Sequence, residues 1–362
     1  MTEANVKKEA RSKKTLPARL SALSRNEDTS VQLAVARNPN APVDALEYLA
    51  GHDQFTILKA VAAHLNVTTA ILERLAAHKQ WTVVEVVANS DRVGAKLLER
   101  LARHPHERVR ETVIYNIKTT PRILELMSTD VAPDIRAYVV CEKRCPLPVL
   151  ERLMLDPHPS VRGAVALNPR VPVDIVRALA TDPEGSVRAD TVRVLERRGE
   201  RDLLRALARD ADEQVRLQIS YLPWDADLHD HLVTDPSDRV RAALADRDDL
   251  PDSAQLSLAC DASADVREFL AGHPRSSDAA LRVLMSDSRV QVRRALAQAK
   301  DTPTPAWVLE HLADDADSGV RQQVAHELRA PRSVLERLTL DANKRVRASA
   351  RASLRYLTNA DL

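Results

Sequence analysis

The sequence predicts an all-α chain, an array of about thirteen two-helix repeats, and three observations carry that prediction. The first is a period. An aliphatic residue recurs at Val31, Ile57, Val83, Val109, Ile135, Val161, Val187, Val215, Val240, Val266, Val292, Val320 and Val346, at steps of 26 residues apart from one of 25 and two of 28. The second is composition: 7 glycines in 362 residues are too few for the tight turns of an all-β chain, while Ala, Leu, Val, Arg and Glu favour helix. The third is that each period holds two short apolar stripes of helical spacing with a Pro-rich turn between them.

In chain order, residues 1–14 read as a mobile basic tail, with Lys7, Lys8, Arg11, Lys13 and Lys14 and no apolar segment behind them. Residues 15–362 read as a single repeat domain, opened by a half unit in which Leu20 and Leu23 take the inner positions of a second helix. The cleanest copy runs from Asp156 to Ala180. Asp156 before Pro157 has the form of an N-cap followed by a first helical residue, so helix A is expected to start there. Val161 and Val165 lie on one face, and Asn168-Pro169 ends the helix because a residue before proline avoids the helical region. Pro172 opens helix B, whose inner pair Val176 and Leu179 is matched by Leu46/Leu49, Leu72/Leu75, Leu98/Leu101, Leu124/Met127 and Leu150/Leu153. Helices of about ten residues are marginal alone, so stacking must stabilise them. The two longer steps, around Arg197-Arg198-Gly199 and Thr302-Pro303-Thr304-Pro305, are expected to lengthen the A–B turn.

Two charged rows run with the same period. Aspartate stands five residues before the reference from Asp130 to Asp341, and arginine follows the reference from Arg110 to Arg347. Each Arg can reach the Asp of its own or the neighbouring repeat, so the rows predict a structural ladder rather than a catalytic site. If these links are exposed, each contributes only about 0.2–1 kcal/mol. The earlier repeats carry His52, His78 and His104 in place of the aspartate. Repeats stacked roughly 10 Å apart hold these imidazoles too far from one another to share a metal.

Asp156, Val161, Arg162, Val165, Ala166, Asn168, Pro169, Pro172 and Leu179 follow the pattern D-x4-V-R-x2-V-A-x-N-P-x2-P-x3-L-x2-L-A, with Val176 at its first leucine. That pattern resembles the bacterial leucine-rich repeat variant family, a relative of HEAT-type α-solenoids, and the resemblance covers nearly the whole chain. It implies a right-handed superhelix of short paired helices, one of which can be short or 3-10. The cysteine cluster that holds an iron–sulfur centre in that family has no counterpart here, and no cofactor or metal is expected.

Nine residues past the reference, in the A–B turn, successive repeats place Arg92, Lys118, Arg144 and Arg170, a basic stripe along one edge. Tyr115, Tyr221 and Trp224 fall near the same edge. Such a stripe suits an acidic protein surface or a phosphate backbone, and its plain alternative is a set of solvated turns. The overall charge decides nothing, since 53 Lys and Arg stand against 52 Asp and Glu. Cys141, Cys145 and Cys260 are too few for a disulfide framework and suit a reducing, cytoplasmic setting. No phosphate-binding glycine loop, G-x-S-x-G elbow or H-E-x-x-H motif occurs. The sequence therefore reads as a non-catalytic scaffold for a partner protein with an acidic surface, in a regulatory or antitoxin-like role. The alternative is a nucleic-acid-binding HEAT-like protein resembling the alkylpurine DNA glycosylases. No stretch approaches the roughly 20 apolar residues that span a bilayer.

Overall fold

A computed structural model describes residues 3–272, 276–298 and 304–360, all of whose regular segments are helical. The chain forms two compact units, Met1–Ile175 and Val176–Leu362, and the same two-helix repeat runs through both. In the first unit the A helices are Thr29–Ala36, Phe55–Ala62, Trp81–Ala88, Glu107–Tyr115, Pro133–Cys141 and Pro159–Leu167. The second unit continues the series from Gly185–Arg198 to Lys344–Ala360. The expected array of about thirteen A–B pairs is present. Within each unit consecutive A helices lie against one another, while most consecutive B helices touch far less, Asp252–Ala259 and Asp278–Leu284 being an exception. Every reference residue from Val31 to Val346 is buried, as are the inner pairs of helix B, so the core is a continuous aliphatic seam in each unit.

Several expectations change in detail. Residues 3–11 form a helix, not part of a tail: Ala10 is fully buried, the helix packs on Thr29–Ala36, and the Asn38 amide donates to the Ala10 and Ser12 carbonyls at 2.7 and 3.0 Å. Helix A of the Val161 repeat begins at Pro159 with His158 as N-cap, two residues later than Asp156-Pro157 suggested. The Asp156 carboxylate instead accepts the His158 N–H at 2.9 Å, a turn that presents the capping residue to the helix. Both helices of a repeat are α-helical throughout the described residues, apart from one 3-10 segment, Leu232–Thr234, after the short helix Ala226–His229. The extra residues after Val187 extend helix A to Arg198, where Gly199 ends it at φ +74. Of the second insertion, Thr302 and Pro303 lie outside the described residues, while Thr304 donates its hydroxyl to the Leu296 carbonyl.

The charged rows form a one-way ladder. Arg110 reaches the Asp of the next repeat through a two-point fork, Nε to Asp130 Oδ2 at 2.7 Å and Nη2 to Oδ1 at 2.9 Å. Its Nη1 turns back to the His104 and Pro105 carbonyls of its own repeat. Arg136–Asp156 repeats this arrangement in the first unit, and Arg188–Asp210, Arg216–Asp235, Arg241–Asp261, Arg267–Asp287, Arg293–Asp315 and Arg321–Asp341 do so in the second. The rungs are not exposed links, because the Arg side chains are only 10–16% accessible and the Asp side chains 3–10%. Burial opposes ionisation of Asp156, yet the hydrogen bonds from Arg136 and from the His158 N–H hold its carboxyl below the usual range.

The earliest junctions lack rungs. Where later repeats carry the arginine, the chain has Gln32, Leu58 and Val84, and 20 residues on it has His52, His78 and His104. Leu58 and Val84 are fully buried, and the buried Gln32 Oε1 has no hydrogen-bond partner. Each of these histidines still closes the turn, its Nδ1 accepting the N–H of Gln54, Gln80 or His106 at 3.0–3.1 Å. A carboxylate at these positions would lose its guanidinium partner, so imidazole supplies the same acceptor without a buried charge.

Candidate functional site

The A–B turns of the first unit position the basic residues singled out in the sequence. Seven residues past the reference, a polar side chain ties four of these turns to the preceding repeat: His64 Nε2 to Asn38 O at 2.7 Å, Ser90 Oγ to Ala62 O at 3.2 Å, Asn116 Nδ2 to Ala88 O at 2.6 Å and Asn168 Nδ2 to Val140 O at 2.5 Å. The same Asn116 and Asn168 side chains accept the backbone N–H of Lys118 and Arg170 at 2.8 Å, which orients those residues outward.

The stripe is uneven as a result. Arg92, Lys118 and Arg170 are exposed, but Arg144 is drawn into the stack. Its Nε donates to Glu142 Oε1 at 2.9 Å, and its Nη1 reaches the carbonyls of Thr119 at 2.8 Å and Asn116 at 3.2 Å. Arg170 also donates through Nη1 to the Lys143 carbonyl. Position nine is therefore partly a clamp, a role it already has in Asn66, whose amide donates to Ala41 O at 2.9 Å.

A groove lies along the same side of the first unit. One cavity of about 600 Å³ is lined by Lys59, His64, Leu65, Glu85, Asn89, Arg92 and Thr112, among others. A second, of about 590 Å³, shares Lys59, Ala63, His64 and Leu65 with it and continues over Phe55, Ala60, Pro39 and Arg37. Together they offer three cations, Arg37, Lys59 and Arg92, beside an apolar strip that includes exposed Phe55 and Leu65. Glu85 and Asp91 are the carboxylates of the lining. Thr112 closes the groove one turn before Tyr115, which is exposed and tilted against Tyr138 with ring centroids 6.1 Å apart. Burial raises the Tyr115 hydroxyl above its ordinary value, so it remains a neutral hydrogen-bonding group.

Sequence reasoning found Arg92 and missed Arg37 and Lys59, because these stand six and two residues past their references and align with no charged row. Tyr221 and Trp224 belong to the second unit. Tyr221 is exposed there, whereas the Trp224 ring stacks on buried His229 at 5.1 Å and the Trp224 backbone N–H donates to Asp249 Oδ2. Trp81 likewise stacks on His106 at 3.9 Å, so each of these indoles has one face already covered.

No family model matches this sequence, and no curated protein is similar to it. Among solved structures, the chain is similar to a leucine-rich repeat variant with a novel repetitive structural motif, 28% identical over 57% of this chain and 81% of that one, with a TM-score of 0.44. It is also similar to a chain from the Kap95p–RanGDP structure (12% identical, 98% of this chain, TM-score 0.37) and to importin beta (12%, 94%, TM-score 0.38). It spans 60% and 57% of the length of those two.

Proposed function

We propose that this chain is a non-catalytic scaffold that holds a protein partner in the groove of the first unit. The partner segment carries carboxylates for Arg37, Lys59 and Arg92 and apolar side chains for the strip at Phe55 and Leu65. The observation that supports this reading is the continuity of the two cavities, which places cations and exposed apolar side chains on one surface wide enough for an extended segment. Lys118 and Tyr115 extend the contact beyond Thr112, and a cytoplasmic setting belongs to the same proposal.

The test is capture from a lysate of the native host, with the protein and a Lys59→Glu/Arg92→Glu variant compared side by side. The expected result is one stoichiometric protein retained by the wild type and lost from the variant at unchanged melting temperature. Equal capture by both would overturn the groove as the site. A salt-sensitive shift of labelled duplex DNA, with no protein retained, would replace the scaffold by the nucleic-acid reading.

A further inference from the structure

A smaller cleft, of about 140 Å³, lies where the N-terminal helix Glu3–Arg11 packs beside Thr29–Ala36. Its walls are Lys7 and Arg11 from the first helix and Ser30, Leu33, Ala34, Arg37 and Asn38 from the second helix and its cap. Among the described residues, none of Lys7, Arg11 and Arg37 is held in an ion pair. Asp28 lies within the field of Lys7, and its carboxyl is kept low by hydrogen bonds from the Ser30 hydroxyl and N–H and, to a smaller degree, by the charge of Lys7. Its oxygens are thus already engaged, at 2.7 Å on each.

Three cations around one cleft repel one another, and none of them is paired within the cleft. Arg11 and Arg37 stand at helix C-termini, where the helix dipole favours a cation, but Lys7 lies a turn earlier and gains nothing from that field. Leu33 and Ala34 form an apolar floor that keeps water from one side and strengthens any charge pairing above it. The cleft, of about 140 Å³, has room for an oxyanion group between its walls.

We infer that this cleft is an oxyanion site, in which Arg11 and Arg37 bind a phosphate or carboxylate group through their planar forks and Lys7 closes it as a point charge. The site shares Arg37 with the groove but goes beyond that reading, because Lys7 and Arg11 line neither of the larger cavities. An anion seated there would bridge the N-terminal helix to the first A helix and stabilise the start of the array.

The test is isothermal titration of the full chain with inorganic phosphate and, separately, with acetate, against sodium chloride at matched ionic strength. Saturable binding of phosphate, or of both anions, is expected, weakened at least tenfold in Lys7→Gln and in Arg11→Gln. Arg37→Gln serves as the second variant should either of these melt early in chloride. Phosphate alone would identify a phosphoryl ligand, and acetate as well would identify a carboxylate. Heats no larger than those of chloride, or binding equal in all three variants, would overturn the site whatever the fate of the groove.

Discussion

The junctions before Arg110 and those after it solve one problem in two ways. Within each unit, from Arg110 to Arg136 and from Arg188 to Arg321, a buried guanidinium forks onto the aspartate of the next repeat, whereas at Leu58 and Val84 an aliphatic side chain fills the equivalent space and a histidine closes the turn. Buried ion pairs and well-packed apolar replacements are often of similar net stability, because desolvation consumes most of the Coulombic gain. The two kinds of junction therefore differ less in strength than in direction. A fork has one productive geometry, while an aliphatic contact tolerates small shifts. The lesson is that the two positions work as a pair, and half a pair is worse than either whole.

The largest effect should come from breaking a rung. Asp287→Ala leaves the Arg267 guanidinium buried without its carboxylate and is expected to cost about 3–5 kcal/mol in urea unfolding. The double change Arg267→Leu/Asp287→His, which imitates an early junction and keeps an acceptor for the Arg289 N–H, should recover nearly all of that loss. If the double variant is as weak as the single one, the equivalence of the two junctions is wrong. Next in size is the reverse experiment. Leu58→Arg places a cation opposite His78 and destabilises, and adding His78→Asp should restore about 1–3 kcal/mol as a coupling term in a double-mutant cycle. An additive cycle would show that the 20-residue pairing does not transfer to the early junctions.

A third prediction concerns the stripe. Arg144→Glu removes a clamp on the carbonyls of Asn116 and Thr119 and should cost about 1–3 kcal/mol, while Arg92→Glu and Lys118→Glu should stay within about 0.5 kcal/mol of wild type. Similar melting temperatures for all three would return Arg144 to the free edge.

The smallest effect is in pH. Burial, reinforced by the charges of His106 and Arg110, lowers His104 below its ordinary value of 6.5, so the folded state prefers the neutral ring. That contribution is complete above about pH 6.5 and is lost as pH falls through the depressed value. The carboxyls of Asp156, Asp261 and Asp287 are lowered below 3.8, so the rung contribution persists until the pH drops beneath about 4. Hydrogen exchange during acidification should therefore show the turn at His104 loosening before Asp156 and Asp287 do. Simultaneous loss would contradict the comparison.

Much of this was legible in the sequence. The period gave the repeats, and the inner pairs of helix B gave the core, because burial of a fixed face imposes a fixed spacing. The direction of the ladder was not legible, since a row of Asp and a row of Arg fit a bond within a repeat as well as one between repeats. The helix at residues 3–11 was hidden because only Ala10 is buried in it, too little to mark a periodic face. The groove was half legible: Arg92 stands in a row, whereas Arg37 and Lys59 meet it only once the A helices are laid side by side.

The one-way orientation of the guanidiniums has a consequence for how such a chain can grow. One whole repeat cut from among the laddered repeats carries an acceptor at its front and a donor at its back, so duplicating or deleting it leaves its seams matched. The repeat with His104 ahead and Arg110 behind is different, because it mates an apolar seam on one side with an ionic seam on the other. It acts as an adaptor, and unequal recombination across it would create mismatched seams. Length is thus adjustable on either side of that adaptor, and exchange across it is what is constrained.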